Sequence, residues 1–514
     1  MEKVNLDALI RREDFEIDGN INSGKKKETI SIEDIKADSF FFMNIRKPDF
    51  QRETNEWDAQ RITQFIKSFI EGDLIPAIIL WRSMAGYLFV IDGSHRLSSL
   101  SAWVNDDYGD KEISKMFYDG IISDEQIEIA EKTRKLVNST IGSYNDYKLA
   151  LMHPEKVKPH IVQNAKNLGA LAIQLQWVEG DITKAENSFF KINQQAAPID
   201  QTELKLLKTR HYPNSITTRA IIRSGRGHKY WSKFSPEVQS EIEKIAEQIN
   251  DILFTPKLNT PLKTLDIPIG GKLYAASTVP LILDFVNISN RVDPKNTLKN
   301  DESGEETIKF LKQTLKVSQL INSPHPSSLG LHPIIYFYSK EGKHKTAQFY
   351  SVVKFVMTLH DRKKLNDFIK AREGIESILW NYDYIIQQIN RKYRSAVKSY
   401  PHISTFLTEC MDILNSGKTP QEVVEILIKG KYDYLTIEKS EPEIVTDANF
   451  NTNTKSAIYI KSVIDNAPRC KICNGLVHRN SVSIDHIERK REGGKGTINN
   501  GQVTHPYCNT GYKN

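Results

Sequence analysis

Apolar and polar positions along the chain follow distinct regimes. Between residues 39 and 110 short apolar runs alternate with turns. Ala77 to Trp81, after Pro76, predicts a buried strand; Ser83 to Gly86 predicts a turn, and Tyr87 to Ile91 a returning strand. Asp92-Gly93 breaks that strand, and Leu97, Leu100, Trp103 and Val104 then recur at helical spacing. The turn therefore aims Ser94, His95 and Arg96 from a helix N-terminus, whose free N–H groups favour anions. Leu171 to Val178 alternates as a further strand, and a helix is expected from Asp181 through Phe189, Phe190 and Ile192. Past Pro198, Asp200-Gln201-Thr202-Glu203 has the form of a capping box that starts the next helix.

From residue 211 to 437 helical signals dominate. Ser235-Pro236-Glu237 and Thr419-Pro420-Gln421-Glu422 each supply an N-cap, a proline at the first helical position and an early acid, with Gly430 as a stop. The polar stretch from Glu438 onward predicts a linker over 438–456, followed by a short helix around Ala457 to Ile464. The expected fold is α+β: a mixed domain over 1–210, a mainly α-helical domain over 211–437, the linker, and a small C-terminal domain over 457–514.

Composition, with 39% hydrophobic and 26% charged residues over 514 positions, fits a folded globular chain and excludes collagen-like or low-complexity classes. The N-terminus lacks an apolar signal region and the longest apolar runs fall far below about 18 residues, so a cytoplasmic protein without a membrane span is expected. The net charge of +6 says little until it is located. From Arg469 to Asn514 eight basic residues face three acidic ones, so nearly all of it belongs to the last 46 positions.

None of the four cysteines precedes Cys410, which argues against a disulfide framework. Three of them, with a histidine, form the pairs Cys470-x-x-Cys473 and His505-x-x-Cys508, separated by 31 residues. Two such knuckles predict structural Zn²⁺, which takes four tetrahedral sulfur or nitrogen ligands. His478 is an alternative fourth ligand with a less natural spacing, and Cys410 is expected in a core. Between the knuckles lie Asp485-His486, at the end of a strand-like segment, and the glycine-rich turn Gly493-Gly494-Lys495-Gly496.

At these residues the chain closely resembles the HNH family of ββα-metal endonucleases. The match runs over Cys470, Cys473, Asp485, His486, Gly493, Gly494, Asn500, His505, Cys508 and Asn509. The resemblance implies that His486 is the general base that activates a water against a phosphodiester. It implies that Asp485 and Asn509 hold one catalytic Mg²⁺ or Mn²⁺, and that Asn500 braces the loop orienting His486. Two positions depart from the common pattern: Asn509 stands where histidine is frequent, and His505 where cysteine is usual. Arg489, Lys490, Arg491 and Lys495 are expected to contact the DNA phosphate backbone without reading bases.

Three ordered blocks mark the N-terminal region: Pro48-Asp49-Phe50-Gln51-Arg52 with Trp57, Asp92-Gly93-Ser94-His95-Arg96, and Phe189-Phe190-Lys191-Ile192-Asn193 with Pro198 and Glu203-Leu204. Together they resemble the N-terminal domain family of GmrSD-type modification-dependent restriction enzymes, related to the ParB/sulfiredoxin fold. The resemblance implies a nucleoside triphosphate site on Gln51, Arg52, Asp92, Gly93, Ser94, His95, Arg96 and Asn193 that controls the attached nuclease. Arg52 and Arg96 would grip phosphates bidentately. Ser94-His95 replaces the family's Gln-Gln, which brings the block nearer to relatives that bind DNA; sulfiredoxin chemistry is excluded, because no cysteine lies in this region. Arg223 to Trp231, rich in basic and aromatic residues, reads either as a base-stacking loop or as a helix-to-helix turn with Trp231 in the core.

The expectation is a cytoplasmic prokaryotic anti-phage DNA endonuclease, restriction-like and directed at phage DNA, in particular modified DNA, with a nucleoside triphosphate as second partner. Oligomeric state, including a homo-oligomer, is left open. The alternative is a nucleotide-switched DNA-binding regulator whose zinc module does not cut.

Overall fold

In the N-terminal region six strands form one mixed sheet: β1 (Arg12–Glu13), β2 (Thr29–Ser31), β3 (Ile45–Pro48), β4 (Ile78–Arg82), β5 (Leu88–Asp92) and β6 (Ala172–Val178), in the order β1-β3-β5-β4-β6-β2. β4 and β5 are the hairpin that the apolar runs predict, whereas β3–β5 and β4–β6 pair in parallel. The computed structural model describes residues 2–513 except 14, 16–24, 49–50, 52–53, 55, 119, 121, 123, 197–200, 227, 257–264, 272–277, 294–296 and 438–448.

β5 is apolar from Leu88 to Ile91 because both of its faces are covered. Leu88 and Val90 join one core with Ile62, Ile66 and Phe69 of the helix Ala59–Glu71 and Leu97, Leu100 and Trp103 of the helix Ser94–Asn105. Phe89 and Ile91 point the other way, to Phe15, Trp81, Ala185 and Phe189. Helices Asp124–Thr140, Tyr144–Met152 and Pro159–Leu168, in a stretch to which the sequence pattern assigns no element, complete the first core.

The chain divides into two compact units, one of residues Met1–Arg210 and Arg226–Tyr230, the other of His211–Gly225 and Trp231–Asn514. The second unit carries long helices, among them Pro236–Phe254, Glu305–Ile321, Thr346–Asp361, Leu365–Asn381 and Ala396–Leu414, so the chain as a whole is mixed α+β and mostly helical. Ser235 caps the first of these by accepting from the Val238 N–H, and Thr419 with Glu422 forms a complete capping box for Pro420–Lys429. Trp231 is fully buried and its indole N–H donates to Glu243 at 3.1 Å, which makes that aromatic a core anchor rather than an open stacking platform.

The expected linker boundary needs correction. A helix runs from Thr452 to Ile464 because Asn451 accepts from the Thr454 N–H, so residues 452–456 are helical; residues 438–448 lie outside the described ones. The chain then forms an antiparallel hairpin of β7 (Ser483–His486) and β8 (Gly501–Thr504), packed within the same unit as the helices. Among the described residues no helix is long and apolar enough to cross a membrane.

Candidate active site

The two knuckles close into one cluster. Ligand atoms of Cys470, Cys473, His505 and Cys508, all buried, lie within 4.8 Å of one another. His505 turns Nδ1 toward the thiols, 3.4 Å from Cys473 Sγ, while its Nε2 donates to the Leu476 carbonyl at 3.0 Å. That backbone bond selects the tautomer whose Nδ1 lone pair faces the sulfurs, which is how a histidine is prepared for a metal. Contacts with Cys473 and Cys508 favour the Cys470 thiolate, and the same contacts with Cys470 push the other two thiols up, Cys473 to about 11. Three thiols that share protons in a buried pocket fit a soft divalent cation that would displace those protons, and the donor set is that of structural zinc. His478 is not in the cluster; its Nδ1 sits 3.1 Å from Nδ2 of Asn322.

A buried ion pair seats this cluster on the helices. Arg372, without exposure, donates from Nε to Glu376 at 2.8 Å, from Nη1 to the Leu329 carbonyl at 2.6 Å and from Nη2 to the Gly330 carbonyl at 3.0 Å. Glu376 also accepts from the Leu476 N–H at 3.0 Å and from the Tyr336 hydroxyl at 3.1 Å. Gly475 has to be glycine here, because a Cβ would lie 2.2 Å from Arg372 Nε.

On β7 successive side chains leave opposite faces. Asp485 is buried and its Oδ2 accepts from Gln502 at 2.8 Å and from the Lys513 ammonium at 2.6 Å; Lys513 also donates to the His486 carbonyl at 2.5 Å. Two oxygens thus converge on one positive charge, an arrangement that suits a hard divalent cation. Lys513 belongs to none of the sequence blocks, and its charge alone gave no signal of this place. Asn509 donates from Nδ2 to Ser483 Oγ at 2.9 Å and to the Ile484 carbonyl at 3.3 Å, so it abuts the strand that bears Asp485.

His486 stands half-buried at the end of β7, opposite Gly501. The loop that follows is tied by Asn500, which accepts from the Glu488 N–H at 2.8 Å and donates to the carbonyls of Glu488 at 3.2 Å and Lys495 at 2.9 Å. Of the basic residues on it, Arg489 donates to the Lys513 carbonyl at 2.8 Å and Arg491 lies 3.8 Å from Glu492. Lys490 and Lys495 are exposed and their ammonium groups have no partner among the described residues.

In the first unit the first two blocks meet. Gln51 donates from Nε2 to Ser94 Oγ at 3.3 Å, both residues being buried, and the Gln51 amide oxygen has no partner among the described residues. Arg12 donates to the Gln51 carbonyl and is itself paired with Asp7 at 2.7 Å, an acid shared with the buried Lys47. Gly93 makes the strand-to-helix turn at φ +102°, where a Cβ would press 2.9 Å from Ile78. Arg96 is held by Asp92 at 2.7 Å and the Ala77 carbonyl at 3.1 Å, so in this structure it braces the turn. His95 stacks on Trp57, centroids 5.6 Å apart, beside an open groove of about 850 Å³ lined by Trp57, Arg61, Leu74 and Arg96 among others. Of the third block, Phe189 packs on the far face of the sheet against Phe89. Arg52 lies outside the described residues, and of Asn193 only the helical backbone is described.

Residues 31–212 match the family model for the GmrSD restriction endonuclease, N-terminal domain, and residues 470–514 match the model for HNH endonuclease. A search of curated proteins and a search of solved structures found no match.

Proposed function

We propose that this chain is a restriction-type HNH nuclease, a reading supported by its matches to the GmrSD restriction endonuclease N-terminal domain and to HNH endonuclease, and that it cuts phage DNA, in particular modified DNA, under control of a bound nucleoside triphosphate. The observation that carries the reading is the β7 terminus: Asp485 and His486 at the mouth of a loop braced by Asn500 and edged with unpaired lysines. His486 takes a proton from the attacking water. Asp485 and Asn509 would hold a Mg²⁺ or Mn²⁺ ion, whose chemistry when bound would be electrostatic stabilisation of developing negative charge. Lys490, Arg491 and Lys495 attract the phosphate backbone, and the Cys470, Cys473, His505 and Cys508 zinc is structural.

The N-terminal region is a ParB-like domain in this reading. Its nucleotide site centres on Gln51, Asp92, Gly93, Ser94 and His95, with Arg52, Arg96 and Asn193 as further members. Support comes from the join of the Gln51 loop to the start of the Ser94–Asn105 helix, where the buried Gln51 amide oxygen has no partner among the described residues. The protein acts in the cytoplasm of a prokaryote as part of anti-phage defence.

The test is cleavage of modified and unmodified phage DNA with Mg²⁺ or Mn²⁺, with and without each nucleoside triphosphate. Wild type should cut and His486→Ala should not. Equal cutting by the variant overturns the assignment of His486. Protection from phage that survives both His486→Ala and Asn509→Ala would place the protein among DNA-binding regulators instead.

A further inference from the structure

Beside the candidate base, Ile498 is 96% exposed, Ile484 62% and Ile487 56%. An isoleucine left open forgoes the gain of leaving water, so three exposed on one short hairpin and its loop mark a surface that is covered by something else. They are neighbours rather than scattered. Ile484 and His486 leave the same face of β7, opposite to the buried Asp485. Gly501 pairs with His486 across the hairpin, and a Cβ built on it would lie 3.4 Å from Ile484 Cγ2 and 3.6 Å from the Ile498 carbonyl. The Ile487 N–H donates to the Asn500 carbonyl at 2.9 Å. Ile484 and the Ile498 backbone therefore border a bare glycine that pairs with the residue bearing the imidazole, and Ile487 follows that residue in the chain.

The rim decides the occupant. Lys490 and Lys495 are exposed without partners among the described residues, and Arg491 is exposed as well. The exposed Lys490 and Lys495 call for an anionic occupant, and DNA offers phosphates on the outside and apolar base faces within. Base faces become available only when a step is unstacked, and aliphatic wedges that enter from the minor groove do this and kink the duplex. We infer that Ile498, with Ile484 on the paired strand of the same hairpin, inserts into an opened base step of the bound DNA beside the bond that is cut. The substrate class is then a duplex with locally broken stacking, and mismatched or flexible steps are cut faster than well-stacked ones. This inference rests on the nuclease reading given above.

The experiment uses the full chain and a duplex carrying 2-aminopurine at the mapped cut site. In the His486→Ala background, where the DNA stays intact, binding should raise 2-aminopurine fluorescence, and adding Ile498→Ser should abolish the rise. With the base intact, Ile498→Ser should cut about tenfold more slowly, the scale of one lost base contact, and should lose the preference for mismatched steps. Ile498 is fully in solvent, so unchanged zinc content and melting temperature of the variant confirm that folding is not the cause. If wild type cuts in a His486-dependent way but Ile498→Ser keeps the fluorescence rise, the rate and the preference, the wedge is wrong and the nuclease stands. If wild type cuts no DNA, the nuclease reading fails first and the wedge with it.

Discussion

Nη1 of Arg372, a residue of the long helix Leu365–Asn381, lies 3.1 Å from Nδ1 of His505 in the knuckle cluster. Burial opposes the arginine's charge, and the negative groups at Cys473 and Glu376 more than restore it. Three thiolates around a divalent zinc leave one negative charge in the interior, and a fully buried guanidinium beside them offsets it. The helical part of the second unit and the C-terminal hairpin are thus joined by electrostatics as well as by packing.

Removal of that cation should therefore be felt throughout the unit. Arg372→Met leaves Glu376 buried without its partner, and a loss of about 3–5 kcal/mol is expected in the urea midpoint. The double variant Arg372→Met/Glu376→Leu should recover part of the loss, as measured in a double-mutant cycle.

Zinc should be present in stoichiometric amount on elemental analysis. Cys508→Ser should lower its content, and strong chelation of the wild type should have the same effect. Because His505 and Leu476 contact Arg372 and Glu376 directly, metal loss should also lower the melting temperature of the helices. A melting curve unchanged by chelation would refute the coupling.

Gly494 is a purely steric requirement. A Cβ there would lie 1.9 Å from the Glu488 carbonyl oxygen and 2.9 Å from Asn500 Nδ2, and the first obstacle is backbone that cannot swing aside. Gly494→Ala should displace the loop after His486 and reduce DNA cleavage by about 10²-fold, with zinc content and melting temperature near those of wild type.

Lys513 places its ammonium on the same Asp485 oxygen that the proposed divalent ion would use. Lys513→Ala should bind Mn²⁺ more tightly, by about tenfold or ~1.4 kcal/mol, in a titration followed by electron paramagnetic resonance. Unchanged affinity would mean that the lysine does not compete for this carboxylate.

The pH dependence has a defined sign at His344. Burial pushes its imidazole down to about 4, while its Nε2 keeps a bond to the Ile269 carbonyl at 3.1 Å. An unfolded histidine titrates near ~6.5, so between about 6.5 and 4 the unfolded chain binds more protons and stability falls as the pH is lowered. The whole window is worth on the order of 3 kcal/mol. His344→Gln should flatten the slope of the urea midpoint against pH over that window, compared with wild type.

Much of this chain is local and can be read along it. The β4–β5 hairpin, the break at Asp92-Gly93, the capping box at Thr419 and Glu422 and the pairing of Cys470-x-x-Cys473 with His505-x-x-Cys508 depend on residues near one another or on a ligand set with its own spacing. The helices between 124 and 168 escaped because small or polar residues such as Ala130, Thr133 and Ala165 stand on their inner faces and weaken the apolar stripe; the start of the helix at Thr452 escaped because polar residues are equally at home in a linker and in a first turn.

The sequence by itself thus determined the set of four candidate zinc ligands, because side-chain type and short spacing express ligand chemistry directly. Tertiary structure alone decided that Arg372 lies under His505, that Lys513 lies on Asp485, that Gln51 meets Ser94 and that Ile498 stays in water. Periodicity tells which face of an element seeks a core; it carries no information on which polar group, 133 positions away in the chain for Arg372 and His505, will be there to meet it.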